Sequence, residues 1–185
     1  MTNTALLIVD LQNDYFEGGK FPLSGTDAAA ANAAKILAGF RAAGMPVIHI
    51  RHEILRKPAP FFEPDTKGAE IHTLVAPTPD EPVITKIHPN SFRDTDLQAQ
   101  LTAMGITDLV ITGAMSHFCI DATSRAAADL GYNCTIAHDA CASRDLEFDG
   151  VTVPAAQVHA SFMAALAMGY GAILPTGQVI AGLSD

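Results

Sequence analysis

The sequence has few basic residues. It contains 11 Lys and Arg against 20 Asp and Glu among 185 residues, a formal net charge of −9. Binding to nucleic acid or to anionic lipid depends on a basic surface. The charge therefore argues against nucleic acid and against membrane partners, whereas a neutral or cationic small molecule would be accepted.

Long apolar runs and paired cysteines are also missing. No apolar stretch approaches the roughly 20 residues that span a bilayer, and the opening "MTNTALLIVD" lacks the positive charge that begins a signal peptide. Three cysteines, Cys119, Cys134 and Cys141, form an odd set without CxxC spacing. Neither a disulfide framework nor a zinc cage is predicted, and we expect a cytoplasmic protein with reduced thiols.

The chain is instead rich in apolar runs that alternate with helical patterns. Hydrophobic residues make up 49% of the sequence, enough for one domain over residues 1–185 with a substantial core. The patterns predict strands at 5–10, 46–52, 82–87, 107–113, 132–139 and 170–175, and helices at 26–44, 95–105, 117–130 and 153–169. Strands that are apolar throughout predict a mostly parallel, doubly wound sheet with helices on both faces. The proline-rich stretch 53–81 is predicted to be a loop that shapes a pocket.

Three reactive side chains fall near the carboxyl ends of predicted strands. Asp10 closes "ALLIVD", Lys86 follows "PVIT", and Cys119 comes shortly after "VITG". Ligands bind at this edge of an open parallel sheet, so the fold would bring all three together. Alone, each has a simpler explanation: Asp10 as a turn residue, Lys86 as a solvated side chain, and Cys119 as a packed thiol. Their occurrence together favours a site.

The predicted position of Cys119 at a helix start favours a nucleophile. A helix N-terminus offers unpaired N–H groups and a partial positive charge, and Lys86 would add a full one. We therefore expect the thiol pKa to fall below that of free cysteine. The N–H groups could hold an oxyanion, and Asp10 could move the proton between the thiol and a leaving group. Such a site hydrolyses acyl compounds.

These residues carry a family resemblance over most of the chain. "LLIVDLQNDYF", Lys86 and "GAMSHFCIDATSRAAADLGY" resemble the isochorismatase-like cysteine hydrolases, whose relatives include nicotinamidases and carbamoylsarcosine amidases. The resemblance implies a three-layer α/β/α sandwich, Rossmann-like, with a six-stranded sheet. It implies Cys119 as nucleophile, Asp10 as acid/base and Lys86 as the thiolate's support. It also implies a non-proline cis peptide at Ala114–Met115, with the Met115 and Cys119 N–H groups forming an oxyanion hole.

Departures from the family pattern narrow the predicted chemistry. Nicotinamidases carry an Asp-x-His metal motif after the second strand, where this chain has "HIRHEIL" (49–55), so we predict no metal and no cofactor. The isochorismatases proper often lack the cysteine, and its presence favours cleavage of a small amide or lactam through a thioester. "RHE", "GAEIH" (68–72) and "HPNSF" (88–92) resemble streptothricin-hydrolase-like members, which open a cyclic amide.

Further residues are predicted to contact substrate, and other functions stay open. The predicted pocket residues, which also have alternative roles in turns, core or subunit contacts, are Gln12, Phe16, Phe92, His117 and Phe118. Relatives are commonly oligomers, so a homodimer or higher homo-oligomer is expected. The alternatives are a vinyl-ether hydrolase of the isochorismatase type that merely retains the cysteine, and a non-catalytic small-molecule binding protein on the same scaffold.

Overall fold

The structure is a computed structural model that describes residues 3–183. Its strands, in chain order, are β1 (Thr4–Val9), β2 (Val47–His52), β3 (Val83–Lys86), β4 (Asp108–Ala114), β5 (Asn133–Ala142), β6 (Leu146–Phe148), β7 (Val151–Val153) and β8 (Ala172–Leu174). Its helices are α1 (Thr26–Ala42), α2 (Leu97–Ala103), α3 (Asp121–Asp129), α4 (Ala155–Ala167) and α5 (Thr176–Ala181).

Six of the strands form one sheet in the order β3-β2-β1-β4-β5-β8. All of its neighbouring pairs are parallel, so the predicted mostly parallel sheet is wholly parallel. The chain starts in the centre with β1, winds to one edge at β3, and returns through β4 to the other edge. This confirms the predicted three-layer α/β/α fold, and the reversal of winding at β1 and β4 creates a crevice at their carboxyl ends.

The two faces of the sheet bury separate apolar cores. Along β1, Leu6 and Ile8 point to the core that includes α1 and part of α5. The alternate residues Leu7 and Val9 point to the core that includes α2, α3 and α4. Because successive side chains of a strand face opposite ways, a central strand with helices on both sides must be apolar at every position.

The sequence patterns missed a two-stranded hairpin and a short helix, and they predicted as one regular helix a segment that begins with a wider turn. A hairpin joins β6 to β7 through Asp149 and Gly150, which have φ angles of 50° and 74°. An additional short helix, α5, follows β8. The helix predicted at 117–130 begins as one wide π-helical turn, Ser116–Ile120, and continues as α3.

The stretch 53–81 is a loop, as predicted, but an anchored one. It contains two 3-10 turns, Lys67–Ala69 and Thr73–Val75, and it buries Phe61 and Phe62. The Asp14 carboxylate accepts a hydrogen bond from the Phe62 N–H at 2.6 Å, which ties this loop to the segment after β1.

Within residues 3–183, no helix has both the length and the apolarity that a membrane crossing requires.

Candidate active site

Parallel strands place three polar side chains in one row at the edge of the sheet. Asp10 directly follows β1 and has a left-handed backbone, with φ of 54°. His52 is the last residue of β2 and stands in register with Lys86, the last residue of β3. All three are buried, at 4% exposure or less.

Asp10 and Lys86 form a buried ion pair at this edge. The Lys86 Nζ lies 2.8 Å from the Asp10 Oδ2, and both side chains are inaccessible to solvent. The ammonium also donates a hydrogen bond to the Pro89 carbonyl oxygen at 2.8 Å. One ion pair and one hydrogen bond hold the ammonium in place, as a buried charge requires.

Cys119 reaches the same row from the turn after β4. The Met115 carbonyl oxygen accepts hydrogen bonds from the N–H groups of Phe118 and Ile120, which closes that turn. The peptide bond between Ala114 and Met115 is cis. Gly113 lets β4 lie against β1, because any Cβ there would overlap the Val9 carbonyl oxygen. The ligand atoms of Asp10, His52 and Cys119 lie within 4.8 Å of one another, so the predicted cluster of Asp10, Lys86 and Cys119 is brought together.

The ion pair sets the charge states of Asp10 and Lys86. Burial alone would raise the pKa of Asp10, but the Lys86 ammonium and the nearby His52 ring bring it below the ordinary value. Burial alone would lower the pKa of Lys86, but the negative charge of Asp10 raises it. Before reaction, the site therefore holds a carboxylate and an ammonium.

The pKa of the Cys119 thiol is raised, whereas the sequence led us to expect a lowered one. Its complete burial, followed by the Asp10 carboxylate, raises its pKa well above the ordinary value, and Lys86 only partly offsets them. The expectation was wrong because it counted the attraction of a helix terminus and Lys86 but omitted desolvation. Cys119 rests as a neutral thiol beside an ion pair.

His52 is a site residue that the sequence reasoning missed. Its Nδ1 lies 3.6 Å from the Asp10 Oδ2 and 3.7 Å from the Cys119 Sγ. The signal was available, since His52 closes "PVIHIRH" just as Lys86 closes its own strand. In the sequence, His52 lies within "HIRHEIL", which does not match the metal motif of the nicotinamidases.

The side chain of Gln12 is hydrogen-bonded to the backbone of His52, one of the three residues in this row. Its Oε1 accepts a hydrogen bond from the His52 N–H at 2.7 Å, and its Nε2 donates to the His52 carbonyl at 2.8 Å. The same Nε2 donates to the Ala69 carbonyl at 2.8 Å. The side chain is fully buried. These contacts give Gln12 a positioning role, and its contact with substrate stays a prediction.

The other predicted substrate contacts lie in three different places. Met115, His117 and Phe118 line a cavity of about 360 Å³ beside the turn that carries Cys119. Phe16 lies in a separate cavity and stacks on His72, with ring centroids 3.7 Å apart. The remaining aromatic, Phe92, stacks on Tyr132. Only the first group adjoins the reactive turn, and substrate binding by any of them stays a prediction.

Tyr15 is another residue that the sequence reasoning passed over. Its ring packs on Phe61 and Phe62, and its hydroxyl is buried without a hydrogen-bond partner among residues 3–183. Burial raises its pKa, and the negative charge of Asp10 adds to the effect. A neutral phenol thus faces the reactive groups, and could donate a hydrogen bond to a ligand.

The same cluster includes a possible set of metal ligands. Asp10, His52 and Cys119 offer one oxygen, one nitrogen and one sulfur close enough to share an ion. However, the Lys86 ammonium already lies 2.8 Å from the Asp10 carboxylate. A divalent cation would meet that positive charge at short range. The donor set therefore fits a carboxylate–ammonium–thiol site better than a metal centre.

Comparison with known proteins identifies the family. The Isochorismatase domain family matches residues 4–171. The uncharacterised isochorismatase family protein YddQ of Bacillus subtilis is 49% identical over 173 residues, which cover 94% of this chain and 96% of that protein. The chain belongs to the isochorismatase family, a family of hydrolases.

Two further comparisons bear on structure and chemistry. The crystal structure of a candidate isochorismatase hydrolase from Oleispira antarctica superposes with a TM-score of 0.95 at 56% identity, covering 98% of this chain and 97% of that one. Streptothricin hydrolase of Streptomyces noursei is 36% identical over 149 residues, which cover 77% of this chain and 50% of that protein. The chain thus matches about half of that enzyme's length.

Proposed function

We propose that this hydrolase is a metal-independent cysteine amidohydrolase that cleaves the C–N bond of a small amide or lactam through a thioester. The observation that supports this most directly is the buried cluster of Asp10, Lys86 and Cys119. It combines a sulfur nucleophile, a carboxylate that can accept and return a proton, and an ammonium that holds the carboxylate at 2.8 Å.

In the proposed acylation step, Asp10 takes the thiol proton as sulfur attacks the substrate carbonyl carbon. The S–H bond breaks, and an O–H bond forms on Asp10 while a C–S bond forms on substrate. The raised thiol pKa makes this transfer concerted with attack, because a free thiolate is scarce before substrate arrives. Lys86 faces the negative charge wherever it resides, first on Asp10 and then on sulfur and substrate.

The proposed oxyanion hole consists of the Met115 and Cys119 N–H groups. They would receive the carbonyl oxygen of the tetrahedral intermediate. Collapse of that intermediate breaks the C–N bond, and Asp10 returns its proton to the leaving nitrogen. Water then attacks the thioester, Asp10 accepts the water proton, and the thiol regains a proton as the carboxylic acid leaves. The sum is one amide and one water converted to an acid and an amine.

The proposed substrate class is inferred from the chemistry of the site and from the name of one relative. The name of streptothricin hydrolase gives that relative a hydrolytic activity on streptothricin. We propose that the substrate of this chain is a related small-molecule amide. We also propose that the chain has no nucleic-acid or membrane partner. A homodimer or larger assembly and a cytoplasmic location are parts of the same proposal; the exposed Phe148 and Val151 of the β6–β7 hairpin support the assembly.

A panel of small amides and lactams tests this function. Amine or ammonia release would be measured for the wild type, for Cys119→Ala and for Cys134→Ala as a matched control in a buried cysteine away from the site. We expect turnover of at least one compound by the wild type and the control, and none by Cys119→Ala. Turnover that persists in Cys119→Ala would point to the vinyl-ether or another cysteine-independent chemistry.

A further inference from the structure

We propose that His52 is a fixed N–H donor that positions Asp10 and stabilises the Cys119 thiolate, without itself carrying the proton. This inference rests on the proposed thiol chemistry and adds a fourth residue to it. The role would make His52 a catalytic residue, because its Nδ1 approaches the reacting sulfur at 3.7 Å.

The hydrogen on His52 follows from what Nδ1 faces. The Asp10 Oδ2 lies 3.6 Å away, and an ionised carboxylate can only accept hydrogen bonds. An unprotonated Nδ1 would point its lone pair at a negative oxygen. The arrangement is therefore favourable only when Nδ1 carries hydrogen, which then lies between the Asp10 oxygen and the Cys119 sulfur.

A protonated Nδ1 cannot accept the thiol proton, which leaves Asp10 as its acceptor. When that proton moves, Asp10 becomes neutral and the negative charge passes to sulfur. The Nδ1–H remains in place between the two groups, and its stronger acceptor is then the thiolate. His52 thus favours each charged state in turn without transferring a proton itself.

The backbone of His52 is held for this purpose from two sides. The Gln12 amide binds both the N–H and the carbonyl of His52, at 2.7 and 2.8 Å. Residue 52 also pairs with Lys86 across the sheet. The ring of Phe62 lies on the other side, with its centroid 6.2 Å from that of His52. The imidazole therefore starts from an anchored strand end.

The test uses the rate of Cys119 alkylation by iodoacetamide as a function of pH, which requires no substrate. The variants are His52→Ala, which removes the donor, and His52→Asn, whose side-chain N–H can occupy the position of Nδ1 but cannot titrate. His138→Asn is the matched control, because His138 lies on β5 away from the cluster. The charged and titratable groups facing the sulfur are Asp10, Lys86, His52 and Tyr15, and all four stay unchanged in the control.

The expected results separate a fixed donor from a proton carrier. His52→Ala should slow alkylation at neutral pH by roughly tenfold to a hundredfold and move its profile to higher pH, the effect of losing one hydrogen bond to a charge. His52→Asn should restore the rate to within about threefold of wild type. An unchanged profile in His52→Ala would overturn the proposal, and so would an Asn variant as slow as the Ala variant.

A measurement on the wild type keeps the proposal testable if His52→Ala fails to fold. The nitrogen-15 chemical shifts of the imidazole, assigned by loss of the signal in His52→Asn, report the tautomer directly. We expect hydrogen on Nδ1. The opposite tautomer would refute the inference. Failure to find any amide substrate would count against the proposed function alone, because neither readout involves turnover.

Discussion

Replacing Asp10 with Asn should make Cys119 more reactive towards alkylation while it abolishes hydrolysis. Asn keeps the size of the side chain but removes the carboxylate that holds Lys86 and opposes ionisation of the thiol. The ammonium then faces Cys119 without its partner. A thiolate next to a free ammonium is the more favourable pair, so the pKa of the thiol should fall in this variant.

The magnitude follows from the distance between the two groups. The Asp10 oxygen and the Cys119 sulfur lie within 4.8 Å of each other. At an effective dielectric constant of about 20, two unit charges at this separation interact by roughly 3 kcal/mol, which changes the thiolate fraction about a hundredfold. A thiolate of lower pKa is also a weaker nucleophile, so the net gain in alkylation rate at neutral pH should be about tenfold.

The assay measures iodoacetamide labelling site by site, using peptide mass spectrometry. Cys134 and Cys141 are buried thiols with pKa values raised by burial to about 11 and about 12, so their labelling reports unfolding and not site chemistry. Asp129→Asn, at an exposed position on α3, is the control for removing a carboxylate elsewhere. Slower labelling of Cys119 in Asp10→Asn, with the other two cysteines still protected, would refute the electrostatic reasoning.

Three further predictions concern the scaffold and the pocket. Gly113→Ala should destabilise the protein by about 3 kcal/mol or more in urea unfolding, because its Cβ would overlap the Val9 carbonyl; an unchanged midpoint would contradict the close contact. Hydrogen bonding to Arg41 lowers the pKa of Glu81 to about 2 from 4.5, so its stabilisation is complete above the unfolded pKa and is lost as pH falls through the folded one. The difference in unfolding free energy between the wild type and Glu81→Gln should therefore shrink between about pH 5 and pH 2, and a constant difference would refute this assignment. Tyr15→Phe removes a buried hydroxyl without a described partner, so unfolding free energy should stay within about 1 kcal/mol while KM for the substrate rises; an unchanged KM would exclude contact with substrate.

The sheet could be predicted from sequence because its strands are buried on both faces. Runs such as "ALLIV" have no polar alternation, and this pattern has few structural solutions. The β6–β7 hairpin was missed because its strands have only three residues each and little burial. Its turn residues, Asp149 and Gly150, did provide a signal, since Asp-Gly between short strands is typical of a tight hairpin.

The site was predictable in position but only partly in chemistry. The rule that ligands bind at strand ends located Asp10, Lys86 and Cys119 from far apart in the chain, and the same rule applied to β2 would have located His52. Burial depth could not be read from sequence. It decides that Cys119 rests as a thiol, because desolvation outweighs the attraction of Lys86. The role of Gln12 was equally hidden, since it depends on the position of a loop 57 residues away.

Trapping the acyl intermediate tests the central claim most directly. The wild type would be mixed with a turned-over amide, quenched in acid within milliseconds, and examined by intact-protein and peptide mass spectrometry, with Cys119→Ala treated identically. The account predicts an adduct with the mass of the substrate's acyl group on Cys119, absent from the variant and lost on return to neutral pH. Turnover with no adduct on Cys119, or an adduct on another residue, would contradict nucleophilic catalysis by this thiol.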